Sequence, residues 1–123
     1  MSRKKKRRLI QKIIEELQKI DEELKKNSLL EAELDDLKRE SSRIKASAQR
    51  AYEAKMHELN LEANVQIFKN PGNHREIIEE MVSDCDKAQE TLTRTLAEEN
   101  ARFDRERHRI YESHGLSLSP EQP

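Results

Sequence analysis

The chain has 123 residues, of which 40% are charged and 3% are aromatic, and it contains no tryptophan. This composition excludes the large aromatic-bearing core of an ordinary globular domain of this length. The formal net charge is −1, so acidic and basic residues nearly cancel over the chain as a whole. We therefore predict an all-α protein made of long charged helices: an antiparallel coiled-coil hairpin with an N-terminal overhang that assembles into an oligomeric bundle.

The chain begins with a dense basic run, for which we predict a flexible arm at residues 1–8. Positive charge at a helix N-terminus opposes the helix macrodipole, which favours fraying of such a run. Three interpretations stay open: a nuclear-import signal, an arm that contacts nucleic-acid phosphates, and a patch attracted to anionic lipid. The cations are Arg3, Lys4, Lys5, Lys6, Arg7 and Arg8.

A long helix is predicted for residues 9–69, because neither Gly nor Pro occurs between Leu9 and Phe68. Its first part, residues 9–29, carries apolar side chains spaced alternately three and four residues apart, the a/d spacing of a coiled coil. We predict that this overhang is an oligomerisation or partner interface, whereas residues 30–69 form one arm of the hairpin. The predicted interface consists of Ile10, Ile13, Ile14, Leu17, Ile20 and Leu24.

The charges beside this interface leave its partner open. With Ile10 at position a, Glu16 and Asp21 occupy flanking positions and would oppose one another across a parallel homodimer. A partner helix with basic flanks would fit better, but repulsion between exposed charges amounts to only a fraction of a kcal/mol. Both a coiled-coil protein partner and self-association are therefore expected alternatives. Ile at both a and d favours trimers or tetramers over two-stranded coils.

A turn at residues 70–73 is predicted to separate the long helix from a second helix at residues 74–114. Pro71 disfavours helix at Asn70, and Pro-Gly suits the central positions of a type II turn. Gly115 is expected to end the second helix, and residues 115–123 are predicted to be a disordered tail.

An antiparallel hairpin with this turn should place facing residues at positions whose numbers sum to about 144, and large side chains then face small ones. The contacts would be the same if the second helix were exchanged between two chains, so a closed hairpin and a swapped one both remain open. The predicted hairpin residues are Leu34, Ala48, Tyr52, Met56, Leu59, Cys85, Ala88, Leu92, Leu96, Phe103 and Ile110.

The sequence contains no pattern typical of a catalytic or metal site. The four histidines share no helical face with i, i+4 spacing, and no cysteine stands beside them. Cys85 is the single cysteine, which excludes an internal disulfide and fits a reducing compartment. We expect no enzyme activity, cofactor, metal or small-molecule ligand.

No stretch reaches the ~20 apolar residues that span a bilayer, so a membrane protein is not expected. A short basic segment before a long coiled coil resembles chromatin-associated coiled-coil subunits in composition and architecture. The sequence thus predicts a nuclear structural subunit that mediates complex assembly, with a basic arm for either nuclear import or contact with DNA phosphates. The alternative is a cytoplasmic adaptor or tether in a trafficking or cytoskeletal complex.

Overall fold

The structure is a computed structural model, and it describes residues 2–116. Two α-helices account for nearly all of this range: α1 is Arg3–Lys69 and α2 is His74–Ser113. A single 3₁₀ turn, Pro71–Asn73, connects them, and no strand occurs among the described residues. The predicted all-helical class is confirmed.

Helix α1 begins at Arg3, within the basic run, rather than after it at Leu9. Ser2 is the N-cap of this helix, a cap that we did not predict from the sequence. Its side-chain oxygen accepts a hydrogen bond from the backbone N–H of Lys5 at 3.3 Å, and its carbonyl accepts one from Lys6 at 3.1 Å. A serine N-cap satisfies backbone donors that are otherwise unpaired, and Lys and Arg are good helix formers. The structure therefore contains helix over residues 3–8 of the segment 1–8 that we predicted to be a separate arm.

The connection between the helices is tighter than the predicted type II turn. The N–H of Asn73 donates to the carbonyl of Asn70 at 3.0 Å, which closes one turn of 3₁₀ helix. A type II turn would require a positive φ at Gly72, but among the described glycines only Gly115 has one. The predicted turn type was wrong. Because α2 starts directly after the 3₁₀ turn, helix-like angles at Gly72 continue smoothly into it.

Helix α2 ends with a Schellman cap. The N–H of Leu116 donates to the carbonyl of Tyr111 at 2.9 Å, and that of Gly115 donates to Glu112 at 3.0 Å. Gly115 has φ 75°, a left-handed conformation that glycine adopts without steric cost. Of the predicted disordered tail at residues 115–123, positions 117–123 lie outside the described residues.

The chain divides into two compact units. Unit 2 is Lys38–Arg105, in which the two helices lie side by side and antiparallel on either side of the turn. Its apolar contact contains the buried side chains of Leu59, Ala63 and Leu92. The ion pair between Glu40 and Arg102 joins residues whose numbers sum to 142, close to the predicted value.

Unit 1 contains α1 up to Leu37 and α2 from Glu106 onward. Leu37 and Ile110 are buried, and Leu34 is half-buried. Nε2 of His114 lies 3.2 Å from a carboxylate oxygen of Glu33, which links the end of α2 to α1. Burial within unit 1 therefore involves the last turns of α2 and the part of α1 from Leu30 to Leu37.

Candidate assembly surface

The predicted interface at the start of α1 is uncovered. Every residue from Ser2 to Leu29 is exposed, a continuous stretch of helix without a buried side chain. Leu17 and Leu24 are each 60% exposed, values far above those of core leucines such as Leu37 at 6%. We call the set Ile10, Ile13, Leu17, Ile20 and Leu24 the N-terminal seam; Leu9 and Ile14 widen it.

The size of the N-terminal seam distinguishes it from scattered surface leucines. Residues three and four apart on a helix lie on one face, so the five seam side chains form one stripe. Burial of a large aliphatic side chain contributes about 2 kcal/mol, or roughly 10 kcal/mol for the stripe before the cost of association. A helical segment without tertiary contacts is only marginally stable in water. Covering the stripe would therefore stabilise both the complex and the helix.

The charges along the N-terminal seam are partly paired within α1. Lys25 Nζ lies 3.2 Å from a carboxylate oxygen of Asp21, and the side-chain amide of Gln11 donates to Glu15 at 3.4 Å. These i, i+4 pairs are exposed and contribute a few tenths of a kcal/mol each to the helix. Asp21, one of the two acidic flanks that we expected to repel in a parallel homodimer, is thus partly neutralised by its own helix.

The six cations of the basic run, Arg3 to Arg8, are all exposed and helical. They lie directly before the N-terminal seam on the same helix. Since the net charge of the chain is −1, the rest of the molecule carries a formal charge of −7. The surface at the start of α1 thus combines concentrated positive charge with an apolar stripe.

A groove of about 850 Å³ runs along one side of unit 2 between the two helices. The groove is open because small residues face it at several positions, among them Ala48, Ala51 and Ala88. Leu59 and Leu92, which are buried, also line it. The remaining lining residues are Ile44, Ser47, Tyr52, Lys55, Glu62, Asp84, Lys87, Thr91 and Thr95.

The threonines in this groove do not present unpaired hydroxyl groups. The hydroxyl of Thr91 donates to the carbonyl of Lys87 at 3.0 Å, and that of Thr95 donates to the carbonyl of Thr91 at 2.8 Å. Each hydroxyl is satisfied within α2, so an apolar side chain placed beside it would leave no new unpaired donor. The groove is therefore better suited to apolar side chains than its residue types suggest.

A buried polar cluster lies between the helices of unit 2, at the end away from the turn. Glu99 is 5% exposed and Ser41 is 4% exposed. Nε of Arg102 lies 2.9 and 3.0 Å from the two carboxylate oxygens of Glu99, and its Nη2 lies 2.6 Å from one of them. The Arg102 hydrogen bond, aided by Ser41 and Lys45, holds the pKa of Glu99 below its usual range although burial acts in the opposite direction.

The predicted hairpin residues are all removed at least in part from solvent. Leu59, Leu92 and Ile110 are buried. The others are half-buried: Leu34, Ala48, Tyr52, Met56, Cys85, Ala88, Leu96 and Phe103. Half-burial is what two helices without further layers can provide, since each side chain keeps one side open to water.

Sequence reasoning missed several residues of the contact between the helices. Leu37 and Ala63 are buried, and neither was among the predicted hairpin residues. Glu99 was missed because a carboxylate is a poor core residue unless it is paired. The signal that could have revealed it is Arg102 three residues later on the same helix face, with Ser41 and Lys45 at complementary positions in α1.

Comparisons with known protein families, curated proteins and solved structures find no match to this chain. Within residues 2–116, neither helix has a segment long and apolar enough to cross a membrane. Over the same range, no group of three or more His, Cys, Asp or Glu side chains is placed to hold a metal ion.

Proposed function

We propose that this chain is a non-enzymatic structural subunit whose function is to hold protein chains together through the N-terminal seam. The observation that carries the proposal is the exposure of every residue from Ser2 to Leu29, including five large aliphatic side chains on one helical face. Exposed apolar patches of this extent mark interaction sites in proteins. The a/d spacing favours another helix as the partner, which makes the expected assembly a coiled coil or helical bundle.

The antiparallel packing in unit 2 indicates that this unit serves as a scaffold for the N-terminal seam. The helices there bury Leu59, Ala63 and Leu92 against one another and need no additional chain to do so. By contrast, the N-terminal seam has no covering layer within the described residues. In the proposed assembly, unit 2 is a hairpin that forms within one chain, and the seam is the surface that meets another.

The basic run suggests where this assembly acts. Six consecutive exposed cations match both a nuclear-import signal and an arm that neutralises nucleic-acid phosphates, and the two functions are compatible. We therefore propose a nuclear subunit associated with chromatin. The run contains none of the aromatic residues that stack on single-stranded bases, so duplex DNA is the more suitable nucleic acid.

The proposal is tested by placing charge on the N-terminal seam. Ile13→Glu combined with Leu17→Glu should lower the solution mass measured by light scattering to that of the 14.5 kDa monomer, because two glutamates cannot be buried unpaired in a seam. The matched control is Lys12→Glu with Gln18→Glu, which adds glutamates outside the seam and should leave the mass unchanged. If the wild type is oligomeric, an unchanged mass for the seam variant would exclude this surface from self-assembly.

Localisation separates the nuclear subunit from a cytoplasmic tether. A fluorescent fusion of the full chain should enter the nucleus, and replacement of Lys4, Lys5 and Lys6 with Gln should leave it in the cytoplasm. A fusion that stays cytoplasmic in both forms would support the tether, whose basic run would then contact acidic protein or lipid surfaces.

A further inference from the structure

We infer that the groove of unit 2 is the receptor for the N-terminal seam of a second copy of this chain. The inference rests on the proposed function and identifies the surface that the N-terminal seam meets. It requires that the two surfaces agree in length, in side-chain size and in the order of their charges. Each of these can be read from the described residues.

The two surfaces have similar lengths. The groove extends along α1 from Ile44 to Glu62, which at 1.5 Å per residue is about 27 Å. The N-terminal seam extends from Ile10 to Leu24, which is about 21 Å in the same geometry. One seam therefore fits within the groove, with space at one end for the residues that precede Ile10.

The side chains are complementary in size. The N-terminal seam presents only Ile and Leu, whereas the rim of the groove presents Ser47, Ala51 and Thr91. Large side chains pack well into positions where the facing residues are small. The hydroxyls of Thr91 and Thr95 already donate hydrogen bonds within α2, so docking of the apolar stripe would not leave them without a hydrogen-bond partner.

The charges define one orientation. Glu62 and Asp84 line the end of the groove nearest the turn, and Lys55 lines it one heptad before Glu62 in α1, farther from the turn. On the incoming helix, Arg7 and Arg8 come first and Glu16 follows about one heptad later.

If the seam lies antiparallel to α1 of the receptor, its arginines meet Glu62 and Asp84, and Glu16 meets Lys55. In the opposite orientation the arginines would reach the end lined by Ile44 and Thr95, where no lining residue is acidic. Lys55 is held only weakly by its own helix, since its Nζ is 3.8 Å from Glu58. Exposed pairs contribute little affinity, so they select the orientation while the apolar contacts supply the binding.

A complementation experiment tests the inference with the full chain. Ala51→Arg with Thr91→Arg fills the groove, and both positions are exposed, so the helix contacts of unit 2 remain. The matched control is Ala46→Arg with Thr93→Arg, the same substitutions at exposed positions outside the groove. The third protein is I13E/L17E, which has a damaged seam and an intact groove. Circular dichroism verifies the helix content of each variant, and light scattering gives its mass.

The groove variant and the seam variant should each be monomeric alone, and an equimolar mixture should give a species of twice the monomer mass. The control should keep the wild-type mass. A groove variant with wild-type mass, or a mixture that stays monomeric, would overturn the inference while leaving assembly through the seam intact. A monomeric wild type would also overturn it, because the proposed occupant is a second copy. Failure of the proposed function is distinct: the wild type would then be oligomeric, and I13E/L17E would keep that oligomeric mass.

Charge exchange provides a second measurement if the arginine variants lose helix. Lys55→Glu and Glu16→Lys alter exposed residues only. Each alone should raise the dissociation constant about twofold to fivefold, and the double variant should restore it. Additive weakening in the double variant would contradict the proposed pairing.

Discussion

The Nε–H of Arg102 donates to both carboxylate oxygens of Glu99, at 2.9 and 3.0 Å. Its Nη1 lies 3.6 Å from a carboxylate oxygen of Glu40 on the other helix. The side chain of Glu99 is buried, whereas that of Arg102 remains 30% exposed. One arginine therefore neutralises a buried acid and connects it to the neighbouring helix. This cluster is the main polar feature in the helix contact of unit 2.

Removal of Arg102 should destabilise the protein. Arg102→Ala leaves the carboxylate of Glu99 buried without its charged donor, and we expect a loss of about 2 kcal/mol in the free energy of unfolding. Arg109→Ala is the control: Arg109 pairs with Glu106 at the same i, i+3 spacing, but it is 72% exposed. Its replacement should cost much less, because solvent screens an exposed ion pair. Urea unfolding at one fixed protein concentration measures both, and equal losses would contradict a special role for the buried pair.

Glu99 should make stability depend on pH in the acidic range. Its folded pKa is lowered, so its stabilising contribution is complete above the pKa of the unfolded state, near 4.5, and is lost as the pH falls through the folded value. Glu99→Gln removes this titration. The unfolding free energy of the wild type should therefore decrease more steeply than that of E99Q below about pH 4.5. Parallel curves for the two proteins would show that the carboxylate does not titrate differently on folding.

The two glycines should respond to alanine in opposite directions. Gly115→Ala places a side chain at φ 75°, which costs about 1 kcal/mol although no atom lies within 4 Å of the new Cβ. Gly72→Ala also meets open space, but its φ is not positive, so a gain of about 0.5 kcal/mol is expected from reduced freedom of the unfolded chain. Thermal unfolding of both variants checks the signs. Destabilisation by Gly72→Ala would indicate that the turn needs glycine for another reason.

The basic run should determine binding to duplex DNA. Replacement of Lys4, Lys5 and Lys6 with Gln should weaken retention at low salt and reduce the slope of log affinity against log salt by about 3, since each phosphate contact contributes roughly one unit. Replacement of Lys19, Lys25 and Lys26, which are also exposed on the same helix, should change the slope much less. Equal effects of the two triple variants, measured by fluorescence anisotropy, would indicate attraction to general positive charge rather than to the run.

The sequence predicted the helices well because their signals are local. The absence of Gly and Pro before Asn70, and Gly115 after α2, bounded both helices without knowledge of any tertiary contact. The start of α1 was misplaced because the unfavourable charge of Arg3 to Arg8 was weighted above the cap that Ser2 provides. Pro-Gly likewise suggested a type II turn, but the immediate start of α2 favours a helical turn at Gly72.

The candidate assembly surface also contains one part that local signals predicted and one part that they did not. The N-terminal seam was visible in the spacing of its Ile and Leu residues, which needs one helix only. The groove could not be predicted because it exists only where Ala51 and Thr91 face the same side of two packed helices. Glu99 was missed for a related reason: its burial depends on pairing with Arg102 and on Ser41 of the other helix, which the apolar spacing of one helix does not show.

The helical start of the chain has a consequence for the direction of neighbouring chains. Six residues at 3.6 per turn surround the helix completely, so every side of the Arg3–Arg8 segment is cationic. Chains that bring these ends together repel one another, and added salt would tighten such a parallel arrangement by screening that repulsion. Chains that keep the ends apart place cations beside acidic regions, and added salt would loosen them. The sign of the salt effect on the mass of the assembly thus reports the polarity of its helices.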